Sequence, residues 1–141
     1  EVVLEKEVPV KKGLFDILDY FRENGVIMAV ASSSSPDMIR GNLKNAGVEE
    51  YFSIVLSSTE VANPKPAPDV FLEAAGRLLL APEECYVFED SFGGVRAGAA
   101  AGCATVMIPD QLQPTEEIRS LCAGVYGDLA QAAGAIRDGV L

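Results

Sequence analysis

Three short stretches hold side chains whose types and spacing could do chemistry. Ser32 and Ser33 follow the apolar run VIMAVA and lead into Ser34-Ser35-Pro36-Asp37. Between a strand end and a helix start, backbone N–H groups point outward and favour an anion, and a hydroxyl there adds a donor. Serines at such a place also serve as plain loop residues. Ser35 before Pro36 suits a helix N-cap, with Asp37 complementing the dipole of the first turn. Lys65 stands in NPKPAPD, with prolines on both sides. They stiffen the backbone and keep it out of helix. Its ammonium is then aimed, or the residue is an exposed lysine on a rigid loop. Glu89 and Asp90 follow the run CYVF. Adjacent carboxylates at the end of a buried strand are costly unless paired or metal-bound, and hard oxygen donors suit Mg²⁺. Alternatively, Asp90 caps the next helix and Glu89 is exposed beside it. Hydroxyls, one cation and a carboxylate pair could together bind a phosphoryl group, with Mg²⁺ bridging it to the carboxylates.

Such residues act together only if the chain brings them to one place. Residues 26–31 (VIMAVA), 53–56 (SIVL), 85–88 (CYVF) and 104–108 (ATVMI) are near-continuous apolar runs. Strands buried on both faces read this way, as in a parallel sheet covered by helices. Helical periodicity lies between them. Leu14, Ile17, Leu18 and Phe21 share a face, and Asn24-Gly25 supplies a stop. Ile39, Leu43 and Ala46 precede Gly47; Phe71, Ala74, Ala75 and Leu78 mark a third helix. Residues 92–101 are mostly Gly and Ala and can approach a sheet closely. Residues 115–121 form a shorter candidate, and Asp128 caps a last helix carrying Leu129, Ala132, Ala133 and Ile136. Alternating strands and helices predict a doubly wound, Rossmann-like α/β fold, a three-layer sandwich around a parallel sheet. Ligands of such folds bind at the carboxyl ends of strands. All three chemical stretches lie at such ends. Pro109-Asp110, at the fourth, reads as a turn.

Composition narrows the chemistry. The chain has 141 residues, the size of one domain, and 49% of them are apolar. A formal net charge of −10 argues against nucleic acid and anionic membranes. The cysteines Cys85, Cys103 and Cys122 have no CxxC spacing and are odd in number. That argues against a disulfide framework or zinc site and for a reducing, cytoplasmic setting. There is no histidine, so catalysis must use carboxylates, lysine or hydroxyls. No run is apolar enough to span a bilayer, and the start does not read as a signal peptide. The first residue is Glu1, which reads as a fragment or a processed product.

The order and spacing of the three stretches resemble the haloacid dehalogenase superfamily of aspartate-nucleophile phosphotransferases. The resemblance is to the subgroup of β-phosphoglucomutase and small sugar-phosphate phosphatases. VASSSSP is similar to its second motif, NPKPAPDVF to its third and VFEDSFGGVRAG to its fourth. KKGLFDILDYFRENG resembles the segment before the second motif, and the likeness runs from Val8 to about Pro109. It implies that Ser32 binds the transferring phosphoryl group and that Ser33 contributes its backbone N–H. Lys65 would neutralise the phosphate and the attacking carboxylate. Glu89 and Asp90 would hold Mg²⁺, Asp90 the more closely. The implied activity is hydrolysis of a small phosphorylated metabolite, of the sugar-phosphate kind, through an aspartyl-phosphate.

The family's first motif, a strand followed by DxDGT, does not occur in these residues. Asp16-Ile17-Leu18-Asp19 has another spacing and no strand before it. Asp16, Asp19 and Glu23 fall on the helix face opposite Leu14 and Phe21, where solvent is expected. In the family that motif and a helical cap domain lie N-terminal to the matching part. The expectation is therefore a core portion over residues 1–141 whose sheet is incomplete at its N-terminal central strand. The strands at 26–31 and 85–88 would then expose unpaired edges, unless an N-terminal piece or a second chain completes them. Without its nucleophile, the chain alone should not turn over substrate. A non-catalytic remnant of the fold is the competing reading. β-Phosphoglucomutase resembles SASKN at the second motif, whereas Ser35-Pro36 stands at the matching positions here. That resembles the hexose-phosphate phosphatases and ranks phosphatase above phosphomutase. An unrelated nucleotide-binding α/β domain would predict GxGxxG or GxxxxGK[ST], and neither is present.

Overall fold

The computed structural model describes residues 2–4, 12–110 and 112–141. Val8–Lys11, where the resemblance begins, lies outside the described residues. Each apolar run becomes a strand and each periodic stretch a helix. In chain order they are β1 (Val2–Leu4), α1 (Leu14–Glu23), β2 (Met28–Ser32), α2 (Pro36–Ala46), β3 (Ile54–Ser57) and α3 (Asp69–Arg77). Then follow β4 (Tyr86–Glu89), α4 (Phe92–Ala101), β5 (Ala104–Met107), α5 (Glu116–Leu121), β6 (Gly124–Val125) and α6 (Leu129–Arg137). Among the described residues the strands form one parallel sheet in the order β3-β2-β1-β4-β5-β6. This is the doubly wound order in which connections reverse direction beside β1.

The centre of the sheet differs from the sequence expectation. The position expected to lack a strand is taken by β1, which pairs Val2–Leu4 with Met28–Val30 on one side and Tyr86–Phe88 on the other. The facing edges of β2 and β4 are thus paired over three residues. Among the described residues β1 covers three positions, beside five in β2 and four in β4.

Alternation along each strand builds both faces of the sandwich. Met28 and Val30 of β2 and Phe88 of β4 join a core with Leu14, Ile17, Leu18 and Phe21 of α1, Ile39 and Leu43 of α2, and Leu129 of α6. Ala29 and Ala31 of β2 and Val87 of β4 face the other way, onto Val70, Phe71, Ala74 and Ala75 of α3 and Ala97 of α4. Each large side chain buried this way contributes about 1.5–3 kcal/mol. α4 lies close against the sheet: a Cβ on Gly98 would lie 2.6 Å from Thr105 Oγ1 and 3.2 Å from Val87 Cγ1. The glycine at that position is what permits the approach.

Candidate phosphoryl-binding site

The site begins with a buried carboxylate. Glu89, the last residue of β4, is 2% exposed. Its Oε2 accepts from Lys65 Nζ at 2.9 Å. Its Oε1 accepts from the Asp90 N–H at 3.2 Å, the Ser91 N–H at 3.4 Å and Ser91 Oγ at 3.2 Å. Gly94 makes room for it, since a Cβ there would fall 1.9 Å from Glu89 Cδ. Burial pushes the Glu89 carboxyl above the ordinary glutamate value, while the charge and hydrogen bond of Lys65 pull it down.

Lys65 is held as firmly. Its side chain is 7% exposed, so the alternative of a surface lysine is set aside. Besides Glu89, Nζ donates to the Ala31 carbonyl at 3.3 Å and lies 4.9 Å from the centre of the Phe71 ring. The loop that presents it is pinned at its ends. The Asn63 backbone N–H and Nδ2 both donate to Asp69 Oδ2 at 3.1 Å, and Ala67 N–H donates to the Pro64 carbonyl at 3.0 Å. The Lys65–Pro66 peptide is cis. Lys65 thus ties the end of β2 to the end of β4 across the position of β1, two inter-strand spacings or about 10 Å apart. Ala31 and Glu89 lie one residue beyond the positions that pair with Leu4. The linkage sits over the carboxyl end of the central strand.

Ser32 follows Ala31 directly and is fully buried. Its Oγ accepts from the Ser34 N–H at 3.1 Å. Among the described residues nothing takes the proton of this hydroxyl, so a buried donor remains uncommitted beside the lysine linkage. Ser33 is exposed on the same turn. Ser35 caps α2, its Oγ accepting from the Met38 N–H at 3.4 Å, with Pro36 in the first helical position. The serine run therefore divides between a buried turn and a helix cap.

Asp90 is half-buried and borders a cavity of about 280 Å³, together with Ser91, Phe92, Asp110 and Leu112. The alternative that Asp90 caps α4 is not what the structure shows. Ser91 is the cap, its Oγ accepting from the Gly94 N–H at 3.0 Å. Asp110, read from sequence only as part of a turn, lines the same cavity. Phe71 and Ser91 were likewise not read as site residues. Phe71 carries core periodicity that hides its second contact. The DS pair after β4 was the available signal for Ser91.

Among the described residues no group of three His, Cys, Asp or Glu side chains is gathered to hold a metal alone. Magnesium does not need one. It takes one or two carboxylates and keeps waters and phosphate oxygens. The donor chemistry at the end of β4 fits that pattern, with Asp90 bordering the open cavity and the Glu89 carboxylate directly before it in the chain.

Comparison with known proteins places this arrangement. Residues 1–102 match the model of the haloacid dehalogenase-like hydrolase family, and the chain belongs to that family. It is 43% identical over 94 residues to the bifunctional riboflavin kinase/FMN phosphatase of Arabidopsis thaliana, covering 66% of this chain and 25% of that one. It is 39% identical over 79 residues to the fructose-1-phosphate phosphatase YqaB of Escherichia coli, covering 56% of this chain and 42% of that one. Among solved structures, it resembles a HAD family hydrolase from Deinococcus radiodurans with bound phosphate and sodium. The TM-score is 0.79 at 30% identity, over 92% of this chain and 60% of the other. CbbY from Rhodobacter sphaeroides in complex with xylulose-(1,5)bisphosphate gives 0.79 at 26% identity, over 90% and 57%. The chain spans between a quarter and a half of the length of curated relatives it matches. No helix among the described residues is long and apolar enough to cross a membrane.

Proposed function

We propose that this chain is the core portion of a Mg²⁺-dependent phosphatase of small phosphorylated metabolites, sugar phosphates among them. The observation that carries the reading is the Lys65 linkage between the ends of β2 and β4, with the uncommitted Ser32 hydroxyl beside it. Relatives named as phosphatases of fructose 1-phosphate and hexitol phosphates support the substrate class.

In this mechanism Ser32 donates its hydroxyl proton to an oxygen of the transferring phosphoryl group, and the Ser33 N–H supports a second oxygen. Lys65 neutralises the charge that gathers as a carboxylate nucleophile approaches, and Glu89 holds the lysine in place. The nucleophile is an aspartate supplied from outside these 141 residues; it becomes an aspartyl-phosphate as the ester oxygen leaves as the alcohol, taking its proton from the second aspartate of the same DxDGT motif. Water then attacks phosphorus, releasing phosphate and restoring the carboxylate. Asp90, with Glu89 beside it, would hold Mg²⁺, which supplies charge stabilisation to the phosphoryl oxygens when bound. Ser35, the cap of α2, stands where the mutase pattern carries a lysine, and Pro36 follows it, which favours hydrolysis over phosphoryl return to a second sugar position.

The test is hydrolysis of fructose 1-phosphate and p-nitrophenyl phosphate by the full-length gene product. Activity should vanish in EDTA and return with added Mg²⁺. Undiminished turnover in EDTA would sink the reading.

A further inference from the structure

We propose that Ser57, a residue outside every motif above, is a positioning residue that sets phosphate affinity without touching phosphate. It rests on the reading of Ser32 as a phosphoryl donor.

Ser57 ends β3, is fully buried, and pairs in register with Ser32 on β2. Its Oγ donates to the Ser34 carbonyl at 2.6 Å, a bond between residues 23 apart in the chain. That commits its only proton. The same oxygen accepts from the Thr59 N–H at 3.1 Å and lies 2.9 Å from Thr59 Oγ1, which must then be the donor of that pair. A hydroxyl offers one donor and two acceptor sites, so Ser57 is saturated. It has nothing left for a ligand. Its backbone is held as well, since the Ser57 N–H donates to Glu60 Oε2 at 2.8 Å.

Ser32 is the opposite case. Its Oγ accepts one bond, from the Ser34 N–H, and its proton is uncommitted among the described residues. The two serines therefore grip the same residue from two sides. Ser32 holds the N–H of Ser34 and Ser57 holds its carbonyl. With both bonds in place, the turn over 32–34 is fixed between two neighbouring strands. The Ser32 proton and the Ser33 N–H are then presented in one arrangement. Without Ser57, the turn loses its anchor to β3, and ordering it must be met from the free energy of ligand binding.

The experiment is a phosphorus NMR titration of inorganic phosphate into the full-length gene product with Mg²⁺ present, for Ser57→Ala, Ser32→Ala and the double variant. Loss of one such hydrogen bond should weaken phosphate binding about two- to tenfold in Ser57→Ala. Because Ser57 acts through the Ser32 turn, it should add less than about twofold in the Ser32→Ala background. A lower melting temperature with unchanged phosphate affinity would overturn the proposal, and so would a full additional loss in the double variant. If Ser32→Ala itself binds phosphate as the parent does, the phosphoryl-donor reading has failed, and this proposal with it. Should Ser57→Ala not fold, Ser57→Cys fills the site with a slightly larger group and weakens the donor, and its titration is read in the same way.

Discussion

At the scale of single residues, the chemistry turns on one buried ion pair. Glu89 and Lys65 lie 2.9 Å apart with side chains 0% and 7% exposed. Pairs of this kind contribute little net stability, but removing one member leaves an uncompensated charge worth about 3–5 kcal/mol. Lys65→Met does this to Glu89. Burial then pushes the Glu89 carboxyl up with no opposing cation. A carboxyl raised in the folded state has its stabilising effect in full below its unfolded value of about 4.3, and loses it as pH rises through the folded value. The gap between parent and Lys65→Met should therefore be small near pH ~4 and approach about 3–5 kcal/mol near pH ~7. Urea unfolding followed by circular dichroism at the two pH values measures it, and a gap independent of pH contradicts it. Much of this pair was legible beforehand, since prolines around Lys65 and adjacent carboxylates after an apolar run are local signals. Ser57 left no such signal. Its partner is 23 residues away, and nothing nearby in the chain marks it.

At the scale of elements, the local rules were mostly followed. Pro36 and Ser35 start α2, Gly47 ends it at φ 73, and the glycines and alanines of α4 let it lie against β5. Strand ends shifted by one or two residues, since pairing partners and not hydrophobicity set them. β1 and β6, of three and two residues, are too short to show any period and were not legible. One connection breaks a local rule. After α3 the chain turns at Leu79, which has φ 61 and is 91% exposed. A left-handed backbone costs a residue with a Cβ about 1–2 kcal/mol, and an exposed leucine recovers none of it by packing. Glycine gives back part of the gain as chain entropy, about 0.5–1 kcal/mol. Leu79→Gly should therefore raise stability by about 0.5–1 kcal/mol, read as a higher melting temperature. A lower melting temperature would mean that Leu79 makes a contact the turn needs.

At the scale of the whole molecule, topology does what no motif does alone. The order β3-β2-β1-β4-β5-β6 places the ends of β2 and β4 on either side of β1. Residues 31, 65 and 89, far apart in the chain, meet there through one ammonium group. The doubly wound class was legible from alternating strands and helices, because strands covered on both faces must be apolar on both. The occupant of the central position was not, because the three residues that fill it look like any short apolar stretch. The same arrangement leaves Asp90 at the rim of a cavity, with the buried pair behind it. Asp90 is half-buried and lies outside the hydrophobic core, and asparagine keeps its shape, so Asp90→Asn leaves the core packing in place. The direct measurement is the steady-state rate of phosphate-ester hydrolysis by the full-length gene product carrying Asp90→Asn, in saturating Mg²⁺. The account predicts a loss of about 100-fold or more with the melting temperature preserved. A variant that hydrolyses phosphate esters at the parent rate would contradict it.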